Sequence, residues 1–97
     1  RESMRLRPIM PTAGARQLRT PLRLARFTLP AGVFVANSEV LLHRRADLYP
    51  DPMVFRPERF LDAKPAPYTW TPFGGGGRRC LGMAFALTEM KVVLATV

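Results

Sequence analysis

The run of four glycines from Gly74 to Gly77 most constrains how this 97-residue chain can fold. Glycine is unfavourable inside helices and strands, so the run predicts a turn that interrupts regular structure. Cys80, the chain's only cysteine, follows this turn and precedes an apolar stretch that begins at Met83. The positive end of the helix predicted there and two adjacent cations, Arg78 and Arg79, favour the anionic form of the thiol. The sequence therefore predicts a single thiolate presented to a metal.

Other sites built on glycine turns or cysteines fit these residues poorly. A phosphate-binding loop needs Lys and then Ser or Thr after its last glycine, whereas Gly77 is followed by Arg78. A dinucleotide-binding fingerprint needs a third glycine where Arg79 or Cys80 stands. One cysteine and one histidine, His43, cannot supply the four ligands of a zinc site. Two alternatives stay open: a Cys80–His43 nucleophilic pair, and a buried structural cysteine.

The glycine turn and its cysteine match a specific ten-residue pattern. It reads Phe-x-x-Gly-x-Arg-x-Cys-x-Gly and resembles the haem-binding loop of the cytochrome P-450 family. The resemblance implies haem b, iron protoporphyrin IX, with Cys80 as the axial ligand of its iron. Arg78 would contact a haem propionate, as would Arg16 from the strand after the first helix. The implied haem-binding residues are Phe73, Gly74, Gly76, Arg78, Cys80, Leu81, Gly82 and Arg16.

Two further segments resemble the same family and occur in its order along the chain. The proline-rich stretch 49–60 predicts an ordered loop, and it ends in Pro-Glu-Arg-Phe. Glu2 and Arg5 form a Glu-x-x-Arg pair, whose spacing places both side chains on one helix face. The resemblance implies that Arg59 completes an ion-pair triad with Glu2 and Arg5. Such a triad would be a structural clamp, because a guanidinium does not act as a base at ordinary pH.

The predicted fold class is mainly α with a small β-sheet, as the cytochrome P-450 fold has. The apolar stripe Met83, Leu87, Met90, Leu94 and Val97 predicts a largely buried helix after the cysteine. Residues 22–28 and 33–35 favour short antiparallel strands with a hairpin that lacks the expected glycines, and 38–45 favours a short helix capped by Ser38. His43 on that helix is expected to be structural. A first helix, a meander-like loop and the cysteine loop complete the expected elements.

The segment after the first helix is expected to wall a substrate pocket. It leaves the helix through Pro11 and Gly14, and in the resembled family this turn passes beside the haem. The candidate residues are Met10, Pro11, Thr12, Ala13 and Gly14.

The two ends of the chain predict that it is part of a longer protein. Neither terminal helix carries a cap. Residues 1–97 are therefore expected to be a single partial domain, truncated at both ends, that corresponds to the C-terminal haem-binding part of a larger one-domain enzyme. Because one wall of the haem pocket would be missing, the isolated chain is expected to be inactive.

The formal charge of +8 raises the question of an anionic partner. The basic residues are thirteen Arg and two Lys scattered along the chain, without the compact block or interleaved aromatics of a nucleic-acid-binding module. We therefore expect no nucleic-acid partner, although a basic binding module is kept as the alternative of a different class. Part of the charge would neutralise haem propionates. The Arg-rich, Lys-poor composition favours a soluble, cytoplasmic bacterial protein.

The function implied by the resemblance is that of a haem-thiolate monooxygenase. It would insert one oxygen atom from O₂ into a small, apolar organic substrate. Electrons would come from a ferredoxin-type or reductase partner. The thiolate would donate electron density to the iron and so favour cleavage of the O–O bond. The alternative within the same chemistry is a haem-thiolate enzyme that uses peroxide or rearranges its substrate.

Overall fold

The structure is a computed structural model that describes residues 1–62 and 64–97. It contains helices and short antiparallel strands, as predicted from the sequence. The elements in chain order are α1 (Glu2–Leu6), β1 (Thr12–Gln17), β2 (Leu22–Leu24), β3 (Phe27–Leu29), β4 (Phe34–Ser38), α2 (Glu39–His43), two 3₁₀ turns (Pro57–Phe60 and Gly76–Arg78) and α3 (Met83–Thr96).

The four strands form two separate antiparallel pairs, whereas the sequence predicted one small sheet. β1 pairs with β4, with Thr12 opposite Ser38 and a change of register between Ala13 and Arg16. β2 pairs only with β3. Pro21 and Pro30 flank this second pair, and a proline has no N–H with which to extend a ladder. The antiparallel character is as predicted, but the strands form two small sheets in place of one.

The β2–β3 hairpin forms without a glycine in its turn. Leu24 pairs with Phe27, which leaves Ala25 and Arg26 as the connection. Ala25 has a φ of 52°, in the left-handed region that a side chain disfavours. The turn therefore forms at a local conformational cost.

Helix α2 confirms the short helix predicted over 38–45, although it is shorter than expected. Ser38 lies at its N-cap, and its Oγ accepts a hydrogen bond of 3.3 Å from the backbone N–H of Leu41. Arg44 ends the helix. Glu39 and His43 lie one turn apart on its buried face. By fixing the start of α2, the Ser38 cap also fixes the positions of the buried side chains of Glu39 and His43.

The interior between α1, α2 and the 49–60 loop is mostly polar. Met4 and Tyr49 are its buried apolar side chains among the described residues. The three largest fully buried side chains are instead charged or titratable: Arg5, His43 and Glu39. Burial of such groups is costly unless they are paired. The packing of this region therefore depends on its hydrogen bonds.

Helix α3 was predicted to be largely buried, and the structure contradicts this. Met83, Leu87 and Met90 are half-buried, whereas Leu94 is 79% exposed and no residue of the helix is buried. The stripe therefore exists, but only its first turns contact the rest of the described chain. None of the described helices is long and apolar enough to cross a membrane.

The strained turn of the hairpin gives a simple test of the fold. We expect Ala25→Gly to raise the free energy of unfolding by about 0.5–1 kcal/mol, because glycine adopts a positive φ without the cost of a Cβ. The measurement is the midpoint of thermal or urea unfolding. Ala36→Gly, within β4, is the matched control and should lower stability. A midpoint that falls in both variants would contradict the turn geometry.

Candidate functional site

The cysteine loop is closed by two backbone hydrogen bonds. The N–H of Gly74 donates to the carbonyl of Thr71 at 2.7 Å, and the N–H of Cys80 donates to the carbonyl of Phe73 at 2.9 Å. Gly74 and Gly76 have φ values of 71° and 63°, which side chains disfavour. The glycines thus allow the chain to double back and bring Cys80 beside Phe73.

Cys80 presents a free, exposed thiol at the end of this loop. Leu81 beside it is also fully exposed. A Cβ placed on Gly82 would lie 3.8 Å from the cysteine sulfur, so glycine keeps the space beside the sulfur open. The first hydrogen bond of α3 joins the N–H of Ala86 to the carbonyl of Gly82 at 2.9 Å. The sulfur therefore lies just ahead of the helix, with open surface beside it.

The donor set fits a haem iron better than a bare metal ion. Residues 1–62 and 64–97 contain no group of three or more His, Cys, Asp or Glu side chains placed to hold a metal. A bare zinc ion needs about four protein ligands, whereas haem iron needs only an axial one from the protein. The lone accessible sulfur of Cys80 meets that smaller requirement. It contradicts the alternative of a buried structural cysteine.

The structure places most of the predicted haem-binding residues together and one apart. Arg78 is exposed in the 3₁₀ turn of the loop. Arg16 lies on β1 instead, and its guanidinium donates to the carbonyl of Ala15 at 2.9 Å. The residues carried by the loop or its junction with α3 are Phe73, Gly74, Gly76, Arg78, Cys80, Leu81 and Gly82.

The carboxylate of Glu2 lies within ion-pair distance of two arginines, Arg5 and Arg59. Arg5 donates to both of its oxygens, from Nε at 2.6 Å and from Nη2 at 2.7 Å. The backbone N–H of Arg56 adds a third hydrogen bond at 3.0 Å. Arg59 Nε lies 3.5 Å from Glu2 Oε1, within ion-pair distance but without a hydrogen bond. The three residues of the predicted triad are thus brought together.

Arg5 also joins α1 to two other parts of the chain. Its Nη1 donates to the carbonyl of His43 at 2.7 Å and to that of Pro52 at 2.8 Å. Its guanidinium carbon lies 5.1 Å from the centre of the Tyr49 ring. Besides its two hydrogen bonds to Glu2, its Nη2 also donates to the carbonyl of Val54 at 3.4 Å. One buried cation therefore holds the end of α2 and the 49–60 loop against α1.

The electrostatic environment keeps Glu2 ionised. Burial alone would raise the pKa of its carboxyl, but hydrogen bonds from Arg5 and Arg56 and the charges of Arg5 and Arg59 outweigh it. The net effect is a pKa below the usual 4.5. The carboxylate can therefore neutralise the arginines throughout the physiological pH range.

A second buried polar cluster joins α2 to the residues ahead of the cysteine loop. His43 Nε2 accepts the backbone N–H of Thr71 at 3.2 Å, and Thr71 Oγ1 donates to Glu39 Oε2 at 2.7 Å. Burial and the nearby charge of Arg5 lower the pKa of His43 below 6.5, so the imidazole is neutral at pH 7. The sequence analysis missed Glu39 and Thr71; the four-residue spacing of Glu39 and His43 on one helix was the available signal.

This cluster also argues against the Cys80–His43 nucleophilic pair. His43 is fully buried, and its Nε2 already accepts a hydrogen bond, whereas the Cys80 thiol is exposed. A general base must lie within hydrogen-bond reach of the proton it removes. The described contacts of His43 are those of a structural residue.

A row of aromatic rings runs from this polar interior to the cysteine loop. The ring centres of His43 and Tyr49 are 6.3 Å apart, and those of Tyr49 and Phe60 are 6.4 Å apart. Phe60 and Trp70 follow at 6.3 Å, then Trp70 and Phe73 at 6.2 Å. Three of the four pairs meet edge to face, a favourable geometry for aromatic rings. Phe73 is thereby packed against the same interior that holds the Glu2 carboxylate.

The predicted substrate-pocket residues lie at the start of β1 and just before it. Ala13 is half-buried, and the other four are exposed. The carbonyl of Pro11 accepts the N–H of Glu39 at 3.0 Å, and Ala13 pairs with Asn37 across the β1–β4 ladder. The segment is therefore attached directly to α2 and β4.

Comparisons with known proteins identify the family. The family profile for Cytochrome P450 matches residues 1–97. A Mycobacterium tuberculosis H37Rv protein, provisionally named cytochrome P450 135B1, is 49% identical over 94 residues, which is 97% of this chain and 20% of that protein. Another from the same strain, provisionally named cytochrome P450 138, is 41% identical over 97 residues, covering 99% of this chain and 22% of that protein.

A solved structure agrees with both matches. It is that of the cyanobacterial CYP120A1 with retinoic acid bound, at a TM-score of 0.85 and 40% identity, covering 93% of this chain and 22% of that one. The chain belongs to the cytochrome P450 family, which confirms the resemblance and the fold class. It spans about a fifth of the length of the curated relatives it matches.

The ion-pair geometry predicts strong coupling between Glu2 and Arg59. We expect Glu2→Ala to cost about 3–5 kcal/mol of stability, because it leaves the fully buried Arg5 cation without its carboxylate. Arg59→Ala should also destabilise, and the double variant should lose less than the sum of the two. The measurement is a double-mutant cycle on unfolding free energy. The exposed pair Arg45–Asp47 is the control, and removing it should change the unfolding free energy little, because water and salt screen both charges. Additive losses would contradict the shared network.

Proposed function

We propose that this chain is the haem-binding part of a haem-thiolate monooxygenase and that Cys80 is the axial ligand of the iron. The observation that carries the proposal is the exposed, unpaired thiol of Cys80, held at the end of a glycine loop in a chain of the cytochrome P450 family. Cys80 carries the only thiol in the sequence, and it has the open surface that a large planar cofactor needs.

The surrounding residues would bind and orient the cofactor, haem b. Gly74, Gly76 and Gly82 give the loop its shape and leave room beside the sulfur, while Phe73 and Leu81 would pack on the ring. The guanidiniums of Arg78 and Arg16 would neutralise the propionates. When bound, the haem would supply the activation of O₂ and the insertion of one oxygen atom into an organic substrate.

The Glu2–Arg5–Arg59 triad would act as a clamp and take no part in chemistry. Glu2 and Arg5 are almost completely buried, and Arg5 contacts backbone carbonyls at both α2 and the 49–60 loop. A permanently charged guanidinium in such surroundings holds geometry but exchanges no proton. The clamp would keep the loops behind Cys80 at a fixed distance from α1.

The remaining features of the proposed enzyme depend on a longer protein. Residues 1–97 would be the C-terminal haem-binding part of one larger domain and inactive alone, because one face of the haem would be in water. A ferredoxin-type or reductase partner would deliver electrons. Met10 to Gly14 would wall a pocket for a small apolar substrate. The bacterial relatives and the arginine-rich composition support a cytoplasmic bacterial enzyme.

The ligand assignment is tested by replacing the sulfur. In the full-length enzyme, Cys80→Ser should abolish the thiolate-type absorption band of the ferrous–CO complex, because a hydroxyl is a hard and poorly ionised donor. The measurement is the CO difference spectrum together with haem content.

Cys80→His is the matched control for this experiment. An imidazole can still bind haem iron, so haem should be retained while the thiolate-type band is lost. This separates loss of the thiolate from loss of the cofactor. A thiolate-type band that persists in Cys80→Ser would overturn the assignment.

A further inference from the structure

Three buried polar side chains lie outside the triad and have no place in the proposed chemistry. Glu39 and His43 are completely buried, and Thr71 is 8% exposed. Two of them belong to α2, and the third lies two residues ahead of Phe73, which opens the cysteine pattern. Burying three such groups is unfavourable unless each forms hydrogen bonds. The hydrogen bonds of Glu39, His43 and Thr71 must therefore offset the cost of burying them.

Glu39 is held rigidly on the side away from the cysteine loop. Asn37 Nδ2 donates to its Oε1 at 2.9 Å, and its own backbone N–H donates to the carbonyl of Pro11 at 3.0 Å. Asn37 is itself fixed by its pairing with Ala13 in the β1–β4 ladder. Glu39 is thus held by contacts that do not involve Thr71.

Thr71 forms two hydrogen bonds with side chains of α2. Its Oγ1 donates to Glu39 Oε2 at 2.7 Å, and its backbone N–H donates to His43 Nε2 at 3.2 Å. Two hydrogen bonds from a side chain and its own backbone fix both the position and the rotation of the residue. A neutral His43 supplies the acceptor that this arrangement needs.

From Thr71 the restraint continues to the cysteine. The carbonyl of Thr71 accepts the N–H of Gly74 at 2.7 Å, and the carbonyl of Phe73 accepts the N–H of Cys80 at 2.9 Å. Between these bonds the backbone consists largely of glycine, which on its own permits many conformations. The rigid end of the loop is therefore the end that Glu39 and His43 hold.

We propose that Glu39, His43 and Thr71 form a positioning tether that sets the orientation of the cysteine loop and keeps the Cys80 sulfur directed at the haem iron. This inference rests on the proposed function, in which Cys80 is the iron ligand. The three are positioning residues, because they act on the ligand through the backbone of the loop. The tether differs from the triad, since its last hydrogen bonds reach the segment that carries the sulfur.

The test uses Thr71→Val in the full-length, haem-loaded enzyme. Valine has nearly the shape of threonine and keeps the backbone N–H that donates to His43. It removes the hydroxyl that donates a hydrogen bond to Glu39. The measurement is the rate at which the thiolate-type band of the ferrous–CO complex is replaced by the band of the complex that lacks the thiolate. It is made well below the unfolding temperatures of both the wild type and Thr71→Val. Losing one hydrogen bond to a carboxylate should accelerate this conversion about ten-fold.

Two matched variants separate tethering from general stability. Thr71→Ser restores the hydroxyl and should convert at nearly the wild-type rate. Thr69→Val removes a hydroxyl two residues away that donates to Ala66 at 2.8 Å and is exposed, and it should also leave the rate unchanged. Equal rates for wild type and Thr71→Val, or equal acceleration by Thr69→Val, would overturn the tether.

A second pair of variants covers the case in which Thr71→Val does not fold. His43→Gln can still offer an acceptor to the N–H of Thr71, whereas His43→Phe keeps the ring against Tyr49 and removes the acceptor. We expect faster conversion for His43→Phe than for His43→Gln, and the reverse order or equality would overturn the tether. A wild-type enzyme without a thiolate-type band would instead contradict the proposed function, so the two failures are distinguishable.

Discussion

The ion pair between Arg5 and Glu2 is the interaction on which the rest of this structure depends. The interior has few buried apolar side chains among the described residues, so hydrophobic burial contributes little to holding α1, α2 and the 49–60 loop together. Arg5 supplies the missing connections, with donors to Glu2, His43 and Pro52. Removing either charge would strand the other in a site that water does not reach.

The parts of the chain beyond this ion pair hold the cysteine loop from two directions. Aromatic rings pack in sequence from Tyr49 to Phe73, and hydrogen bonds run from α2 through Thr71. The first contact is broad and tolerant of small shifts, whereas the second is directional. A glycine loop held by both can keep one conformation while leaving Cys80 open to a large planar cofactor.

The sequence predicted the local conformation of the cysteine loop better than the packing of the chain around it. The glycines are needed for a left-handed turn, and Cys80 is needed for its lone thiol. Both requirements are local, so a short sequence pattern can express them. The link between Glu39 and Thr71 spans 32 residues, and no local pattern encodes such a contact. The prediction for α3 was wrong for another reason: an apolar stripe shows that a face can be buried, but burial also needs a partner, which the described residues provide only at the first turns.

The central claim is that the sulfur of Cys80, which is exposed in this structure, binds the haem iron. The most direct measurement is the rate at which a thiol reagent labels Cys80, followed by mass spectrometry of the peptide that contains it, in full-length enzyme with and without haem. We predict rapid labelling without haem, as the exposed sulfur requires, and strong protection when haem is bound. Equal labelling rates in the two forms would contradict the account.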